Sequence, residues 1–142
     1  MTSFYAKDII FNLQSKAIIK KWIKEVIENS GNKVKDINII FCSDSSILEI
    51  NNQFLGHNYY TDIITFDYCN NNEISGELYI SIDTVKANAI EYNQVFETEL
   101  HRVIIHGILH LIGLDDHSKQ DIEKMRKAEN ESLLLLTNIV SR

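Results

Sequence analysis

Proline is absent from the sequence, and only two of its 142 residues are cysteines. Without proline, no proline-rich linker divides the chain, and because it contains no internal repeat either, we predict a single domain over residues 1–142. The presence of only Cys42 and Cys69 excludes a disulfide-rich secreted scaffold. We expect both cysteines to be reduced and to behave as small apolar residues near the ends of strands.

Long apolar segments are also missing. No apolar run reaches the roughly 20 residues that a membrane-spanning helix needs, and residues 1–7 lack the basic and apolar regions of a secretion signal. Positive charge is scarce, because 14 Lys and Arg stand against 20 Asp and Glu, for a formal net charge of -6. We therefore expect a cytoplasmic protein in which nonspecific binding to nucleic acid is disfavoured, although a local basic face is compatible with the sequence.

Hydrophobic periodicity predicts strands and helices in mixed order. The predicted strands are Ser3–Ala6, Ile37–Phe41, Asp62–Tyr68 and Gly76–Ile82. The predicted helices are Ser15–Asn29, a helix that begins at Ser43–Ser46 and ends at Phe54, then Asp83–Tyr92, Glu97–Leu111 and Ser118–Leu136. Asp83 and Ser118 have the chemistry of N-caps. This order favours an α+β fold, with about five helices packed on one four-stranded sheet.

Three of the five histidines lie close together, in His106-Gly-Ile-Leu-His110-Leu-Ile-Gly-Leu-Asp-Asp-His117. On a helix, residues four apart share a face, so His106 and His110 can direct two imidazoles at one ion. Gly113 can take the left-handed conformation that ends the helix and returns His117 to the same ion. Three neutral imidazoles leave a fourth tetrahedral position open, as in catalytic zinc sites. We therefore predict that His106, His110 and His117 bind one zinc ion.

A zinc ion held in this way favours hydrolysis, because it lowers the pKa of bound water to about 7 and polarises a phosphoryl or carbonyl oxygen. The residue after His106 is Gly107, so the general-base glutamate of His-Glu-x-x-His peptidases is absent and a peptidase of that kind is disfavoured. Nickel, cobalt or iron would also suit imidazole ligands. Asp115, Asp116 or a backbone carbonyl can provide the partner that the second nitrogen of each imidazole needs.

The pattern His-Gly-x-Leu-His-Leu-x-Gly followed by Asp and His resembles the signature of the YbeY family of bacterial metalloproteins. Two strand motifs extend the resemblance from about Ile37 to Glu131: Thr61–Phe66 is similar to the family's Thr-Asp-Val-Leu-Ser-Phe, and Gly76–Ser81 to its Gly-Asp-Ile strand. The resemblance implies a small mixed sheet and zinc held by the three matched histidines. It also implies a single-strand-specific endoribonuclease that acts with the ribosome or its small subunit in rRNA maturation and ribosome quality control.

The sequence departs from the family pattern at two places. The family usually has one residue fewer between the turn glycine and the last histidine, and if the loop does not absorb the extra residue, Asp115 or Asp116 becomes the third ligand. The family arginine that precedes the Thr-Asp strand by six residues is replaced here by Leu55. Arg102, one helical turn before the first metal histidine, is our hypothesis for the missing phosphate contact. The ordinary alternative is a surface pair with Glu99.

The two remaining histidines are not predicted to bind the ion. His101 lies off the metal face of its helix and is expected to be a packing or surface residue, and His57 is expected to be a solvated loop residue. No catalytic residue beyond the metal ligands is assigned, and the nucleophile is either water or a ribose 2′-hydroxyl. Two other functions stay open, namely a zinc hydrolase of a bond outside RNA and a noncatalytic, metal-stabilised ribosome assembly factor.

Overall fold

A computed structural model describes residues 1–56 and 61–142, and within these ranges the chain forms four strands and five helices. The strands are β1 (Thr2–Ala6), β2 (Lys33–Cys42), β3 (Ile63–Asp67) and β4 (Glu73–Ser81). The helices are α1 (Lys16–Asn29), α2 (Asp44–Leu55), α3 (Ile82–Glu91), α4 (Phe96–Leu111) and α5 (Lys119–Ser141). The predicted α+β class is confirmed. His57 and most of the predicted loop around it lie outside the described residues.

The strands form one mixed sheet in the order β1-β2-β4-β3. The pairs β1–β2 and β2–β4 are parallel, whereas β3 runs antiparallel to β4. Strands β3 and β4 therefore form a hairpin, and Asn71 takes a positive φ of 56° in its turn, a conformation that asparagine tolerates better than most residues. Because β3 forms one edge of the sheet, the residues at its start, from Thr61 onward, lie at the rim of the fold.

Alternation along the central strands gives the sheet two different faces. One face carries the buried side chains of Ile37, Ile39, Leu78 and Ile80, and these belong to the same apolar cluster as side chains of α1, α4 and α5. The other face carries a smaller cluster formed with α2. Trp22 of α1 is fully buried and donates its indole N–H to a backbone carbonyl of α5 at 2.7 Å. Helix α4 packs against β3, β4 and α5.

The predicted cap chemistry is found at the starts of α2 and α5. The Ser43 hydroxyl accepts a hydrogen bond from the Ser46 amide at the start of α2, and Ser118 forms the predicted capping box with Asp121 at the start of α5. The prediction that Asp83 caps α3 is wrong, because the Ser81 side chain is the cap and the helix begins at the next residue. Helix α5 continues to Ser141, beyond its predicted end at Leu136.

Both cysteines are free, as expected. Cys42 is buried at the end of β2, where burial raises the pKa of its thiol to about 12. Across the described part of the chain, none of the helices combines the length and apolar character needed to cross a membrane.

Candidate metal centre

Helix α4 can approach the sheet closely because Gly107 has no side chain. A Cβ atom at this position would lie 2.7 Å from Ile63 Cδ1 and 3.0 Å from the Leu78 methyl groups, which is too close for ordinary contact between carbon atoms. The glycine that follows His106 is thus a packing residue. A glutamate there, as in the His-Glu-x-x-His peptidases, would have to enter the buried contact between α4 and the sheet.

The turn that ends α4 has the geometry of a Schellman motif. The Leu114 amide donates to the Leu109 carbonyl at 3.0 Å, the Gly113 amide donates to the His110 carbonyl at 3.0 Å, and Gly113 has a φ of 111°. The predicted left-handed conformation of this glycine at the end of the helix is confirmed. Because the chain reverses here, the residues after Leu114 return toward the histidine face of α4.

In both His106 and His110, the Nδ1 atom lies beside an oxygen that can only accept a hydrogen bond. His110 Nδ1 lies 2.9 Å from the Leu114 carbonyl oxygen, and His106 Nδ1 lies 2.6 Å from Glu129 Oε2. A carbonyl and a carboxylate both require a protonated Nδ1, so a neutral ring in this position has its lone pair on Nε2. Both Nε2 atoms face the same space, and the backbone carbonyl predicted as one outer partner is found at His110.

Three ligand atoms meet at this point. His106 Nε2 and His110 Nε2 are 3.1 Å apart, and Asp116 Oδ2 lies 3.4 Å from each of them. Ligands at the usual 2.0–2.1 Å from a tetrahedral zinc ion are about 3.3 Å apart, so the spacing fits one ion at the centre. Two imidazoles and a carboxylate are also an established set for hydrolytic zinc. The group can therefore hold a metal ion.

The predicted third ligand, His117, lies outside this group of ligand atoms. Its side chain is exposed at the residue after Asp116, and among the described residues the ligand atoms within 4.8 Å of one another belong to His106, His110 and Asp116. Asp116 stands three residues after Gly113, which is where the family pattern has its last histidine. The structure thus brings together two of the three predicted ligands, with the aspartate that was the predicted alternative.

Replacing Gly113 with alanine tests whether this turn positions the third ligand. No atom lies within 4 Å of the missing Cβ, so the cost is that of the backbone, about 1–3 kcal/mol of unfolding free energy. We expect a weaker affinity for zinc as well, measured by competition with a chromophoric chelator. Gly31→Ala is the matched control, because Gly31 has a φ of 85° and equally open space but follows α1. Equal zinc affinities in the two variants would contradict the role of the turn.

Glu129 and Arg102 form a buried charged pair behind His106. Glu129 is 6% exposed, and its second oxygen lies 2.9 Å from Arg102 Nη1. Arg102 also donates to Asn130 Oδ1 at 2.9 Å. The hypothesis that Arg102 contacts phosphate therefore receives no support here, because its guanidinium is engaged in holding the carboxylate that orients His106. The alternative of a surface pair with Glu99 is not found among the described ion pairs either.

The hydrogen bond between Glu129 and His106 shifts the pKa values of both residues. Burial lowers the pKa of His106, but the hydrogen bond and charge of Glu129, with the charges of Asp62 and Asp116, outweigh it and raise the pKa. Burial raises the pKa of Glu129, but the hydrogen bonds from His106 and Arg102 lower it overall. The carboxylate is thus kept ionised and can stabilise positive charge on the imidazole or on an ion bound to it.

Sequence reasoning missed Glu129, although a signal existed. The buried positions of α5 are Met125, Glu129, Ser132, Leu136 and Ile139, which recur every three or four residues. A glutamate on such an inward face must find a partner, because an unpaired buried carboxylate is strongly destabilised. The pattern could have shown that Glu129 is paired, but not that its partners are Arg102 and His106.

The three ligand atoms lie in an open cleft of about 470 Å³. Exposure of the side chains is 23% for His106, 24% for His110 and 40% for Asp116, which is typical of a site that substrate can reach and not of a closed structural site. Leu55 lines the same cleft, and no lysine or arginine is found among the described residues that line it. Asp62 does line it, and burial raises the pKa of its carboxyl.

His101 lies off the metal face, as predicted. It is half-buried and packs edge-on against Trp22, with ring centroids 6.0 Å apart. Burial lowers the pKa of its imidazole. His101 is therefore a packing residue of the α1–α4 contact.

Comparisons with known proteins agree with the family resemblance of the sequence motifs. The profile of endoribonuclease YbeY matches residues 4–137. The protein named endoribonuclease YbeY in Parabacteroides distasonis is 51% identical over 94% of each chain, and the one in Porphyromonas gingivalis is 49% identical over 97% of this chain and 91% of its own. The solution structure of TM1509 from Thermotoga maritima has a TM-score of 0.64 and 32% identity, and covers 93% of this chain and 89% of its own. The chain belongs to the endoribonuclease YbeY family.

Proposed function

We propose that this chain is a zinc-dependent, single-strand-specific endoribonuclease that acts in the cytoplasm, with the ribosome or its small subunit, in rRNA maturation and ribosome quality control. One observation carries the proposal. In a chain of this family, the ligand atoms of His106, His110 and Asp116 lie 3.1–3.4 Å apart in an open cleft. Relatives about half identical over most of the chain bear the name endoribonuclease.

Each residue of the site has a separate task in this proposal. When bound, the ion supplies a Lewis acid for a phosphoryl oxygen and acidifies water. Glu129 and the Leu114 carbonyl hold Nδ1 of the two histidines, so that both Nε2 atoms stay directed at the ion. Asp62 supplies a carboxylate to the same cleft, and its raised pKa suits a group that accepts a proton during hydrolysis.

The donor set favours zinc over Mg²⁺. Two imidazoles and a carboxylate are a known ligand set for zinc, whereas Mg²⁺ prefers oxygen ligands and keeps several waters. Ferrous iron also binds two histidines and a carboxylate, and metal analysis of the purified protein distinguishes it from zinc. His117 stays our alternative for the third ligand of the loaded protein.

Cleavage of single-stranded RNA by the metal-loaded protein tests the function. We expect cleavage that stops on addition of a chelator and returns with zinc. His110→Ala should reduce the rate by more than the roughly 10- to 100-fold that is typical for the loss of an outer partner of a metal ligand. The control is His101→Ala, which removes an imidazole from the same helix outside the site. Cleavage by chelated protein, or by His110→Ala at the normal rate, would contradict the proposal.

The two alternatives predict different results in the same preparation. A noncatalytic assembly factor is favoured by one observation, the presence of Leu55 in the cleft where the family has an arginine. In that case, the chelator would lower the melting temperature while no RNA cleavage is seen at any zinc concentration. A zinc hydrolase of another bond would cleave peptide or amide substrates and leave RNA intact.

A further inference from the structure

A second cavity adjoins the metal cleft and shares two residues with it. This second cavity has a volume of about 200 Å³ and lies between α3, α4 and α5. Asp62 and His106 line both cavities, so the two spaces lie next to each other beside the candidate metal position. Sites for whole small molecules are usually about 300–1,000 Å³, so the second cavity is sized for one unit of a longer chain.

The second cavity has positive side chains, which the cleft lacks, beside the carboxylates of Asp62, Glu99 and Glu129. Arg102 and Arg126 both line it. Arg102 is committed to Glu129 and Asn130 at 2.9 Å each. Arg126, in contrast, lies 3.6 Å from Glu129 and its side chain is 63% exposed. Since Glu129 already has two closer partners, Arg126 is able to turn toward an anionic ligand at little cost.

An aromatic ring at the end of α3 lines the same cavity. Tyr92, at the end of α3, is 58% exposed although it lines this space. Its neighbour in the lining, Asn88, adds an amide that can donate to and accept from a base edge. An arginine for the backbone and an aromatic face for stacking are the two elements with which proteins hold single-stranded nucleic acid.

We propose that the second cavity is a nucleotide subsite for the RNA strand on one side of the cleaved bond. Arg126 pairs with a backbone phosphate there, and Tyr92 stacks on the base. An enzyme that cuts inside a chain must hold nucleotides on both sides of the bond, and two adjacent cavities beside the candidate metal position can provide for this. The inference rests on the proposed function, and it places the missing positive charge on α5 and not at the position of Leu55.

Substituting Arg126 tests the phosphate contact. We expect Arg126→Gln to raise the KM for single-stranded RNA about tenfold in the metal-loaded protein, with a smaller change in kcat. Binding of a fluorescent single-stranded RNA to the metal-free protein, followed by anisotropy, should weaken similarly. The slope of log affinity against log salt should decrease by about 0.7, the value for one phosphate contact on a single strand. Lys124→Gln is the control, because it removes one exposed positive charge from α5 outside the cavity.

Substituting Tyr92 tests the stacking contact independently. Tyr92→Ala should weaken RNA binding roughly 5- to 100-fold, the range for the loss of one base–aromatic stack. Tyr92→Phe keeps the ring and should recover most of the lost affinity. Zinc content and melting temperature of each variant show whether the fold and the metal site are intact.

The outcomes separate this inference from the proposed function. If the wild-type protein cleaves RNA but Arg126→Gln and Lys124→Gln lower affinity equally, the subsite is overturned and the endoribonuclease proposal stands. If Tyr92→Ala binds RNA as tightly as the wild type, stacking is overturned in the same way. If the metal-loaded wild type neither binds nor cleaves RNA, both proposals are overturned.

Discussion

Replacing Asp116 with alanine is expected to abolish tight zinc binding, whereas replacing His117 with alanine is expected to leave it nearly unchanged. In the folded chain, Asp116 Oδ2 is 3.4 Å from each of the two histidine Nε2 atoms, while His117 is exposed and outside the group. Loss of an outer partner costs about 10- to 100-fold in metal affinity, so loss of a direct ligand should cost more. Zinc per chain, measured on purified protein by mass spectrometry, reports the result.

A graded pair of variants distinguishes the ligand from a merely nearby charge. Asp116→Asn keeps the size of the side chain and leaves a weaker, neutral oxygen, so its zinc affinity should fall between those of wild type and Asp116→Ala. Asp115→Ala is the matched control, because it removes a carboxylate from the adjacent exposed position. The reverse outcome, zinc lost in His117→Ala and kept in Asp116→Ala, would return the third position to the histidine that the sequence predicted.

Glu129→Leu is expected to damage both stability and metal binding. Removing one partner of a buried ion pair typically costs 3–5 kcal/mol, and we expect about 3 kcal/mol here because Arg102 is 24% exposed and can reach water. Zinc affinity should fall about 10- to 100-fold, because His106 loses the acceptor that fixes its tautomer. Urea denaturation of the chelated protein gives the first quantity, and competition with a chelator gives the second.

Glu129→Gln separates the hydrogen bond from the charge. The amide oxygen still accepts from His106 Nδ1, so zinc affinity should fall less than in Glu129→Leu. Because the pKa of Glu129 is lowered below its ordinary 4.5, the charge contributes stability above that pH and loses it as the pH falls further. The stability difference between wild type and Glu129→Gln should therefore shrink below about pH 4.5. The control is Glu123→Gln, which changes an exposed glutamate on the same helix. If Glu129→Leu binds zinc as tightly as Glu123→Gln, Glu129 does not orient His106 for the ion.

The fold class and two of the three candidate metal ligands could be read from local patterns. Apolar spacing predicted α4, and a helix of any context places residues four apart on one face, so His106 and His110 converge by geometry alone. Gly113 was predicted from its position after the last apolar residue, and its positive φ of 111° follows from the turn that only glycine forms easily. These features depend on neighbours a few residues away.

The third ligand could not be read in the same way. Asp116 and His117 are adjacent, and successive side chains leave a loop in different directions, so the choice between them depends on how the chain exits the Schellman turn. The hydrogen-bond partner of His110 Nδ1 could not be read from the sequence either, because the Leu114 carbonyl reaches this atom only after the chain reverses direction. Spacing and residue type favoured the histidine, whereas the path of the backbone brings the carboxylate to the site.

The sequence by itself determined the order of strands and helices, the histidine pair on α4 and the turn that follows it, because these are set by periodicity and by backbone conformations of single residues. Only the tertiary structure decided that Glu129 orients His106 and that Arg102 is occupied in holding it. It also decided that Arg126 and Tyr92, more than thirty residues apart, line one cavity. Such contacts depend on how α3 and α5 pack around α4, and that packing is fixed by the apolar core as a whole.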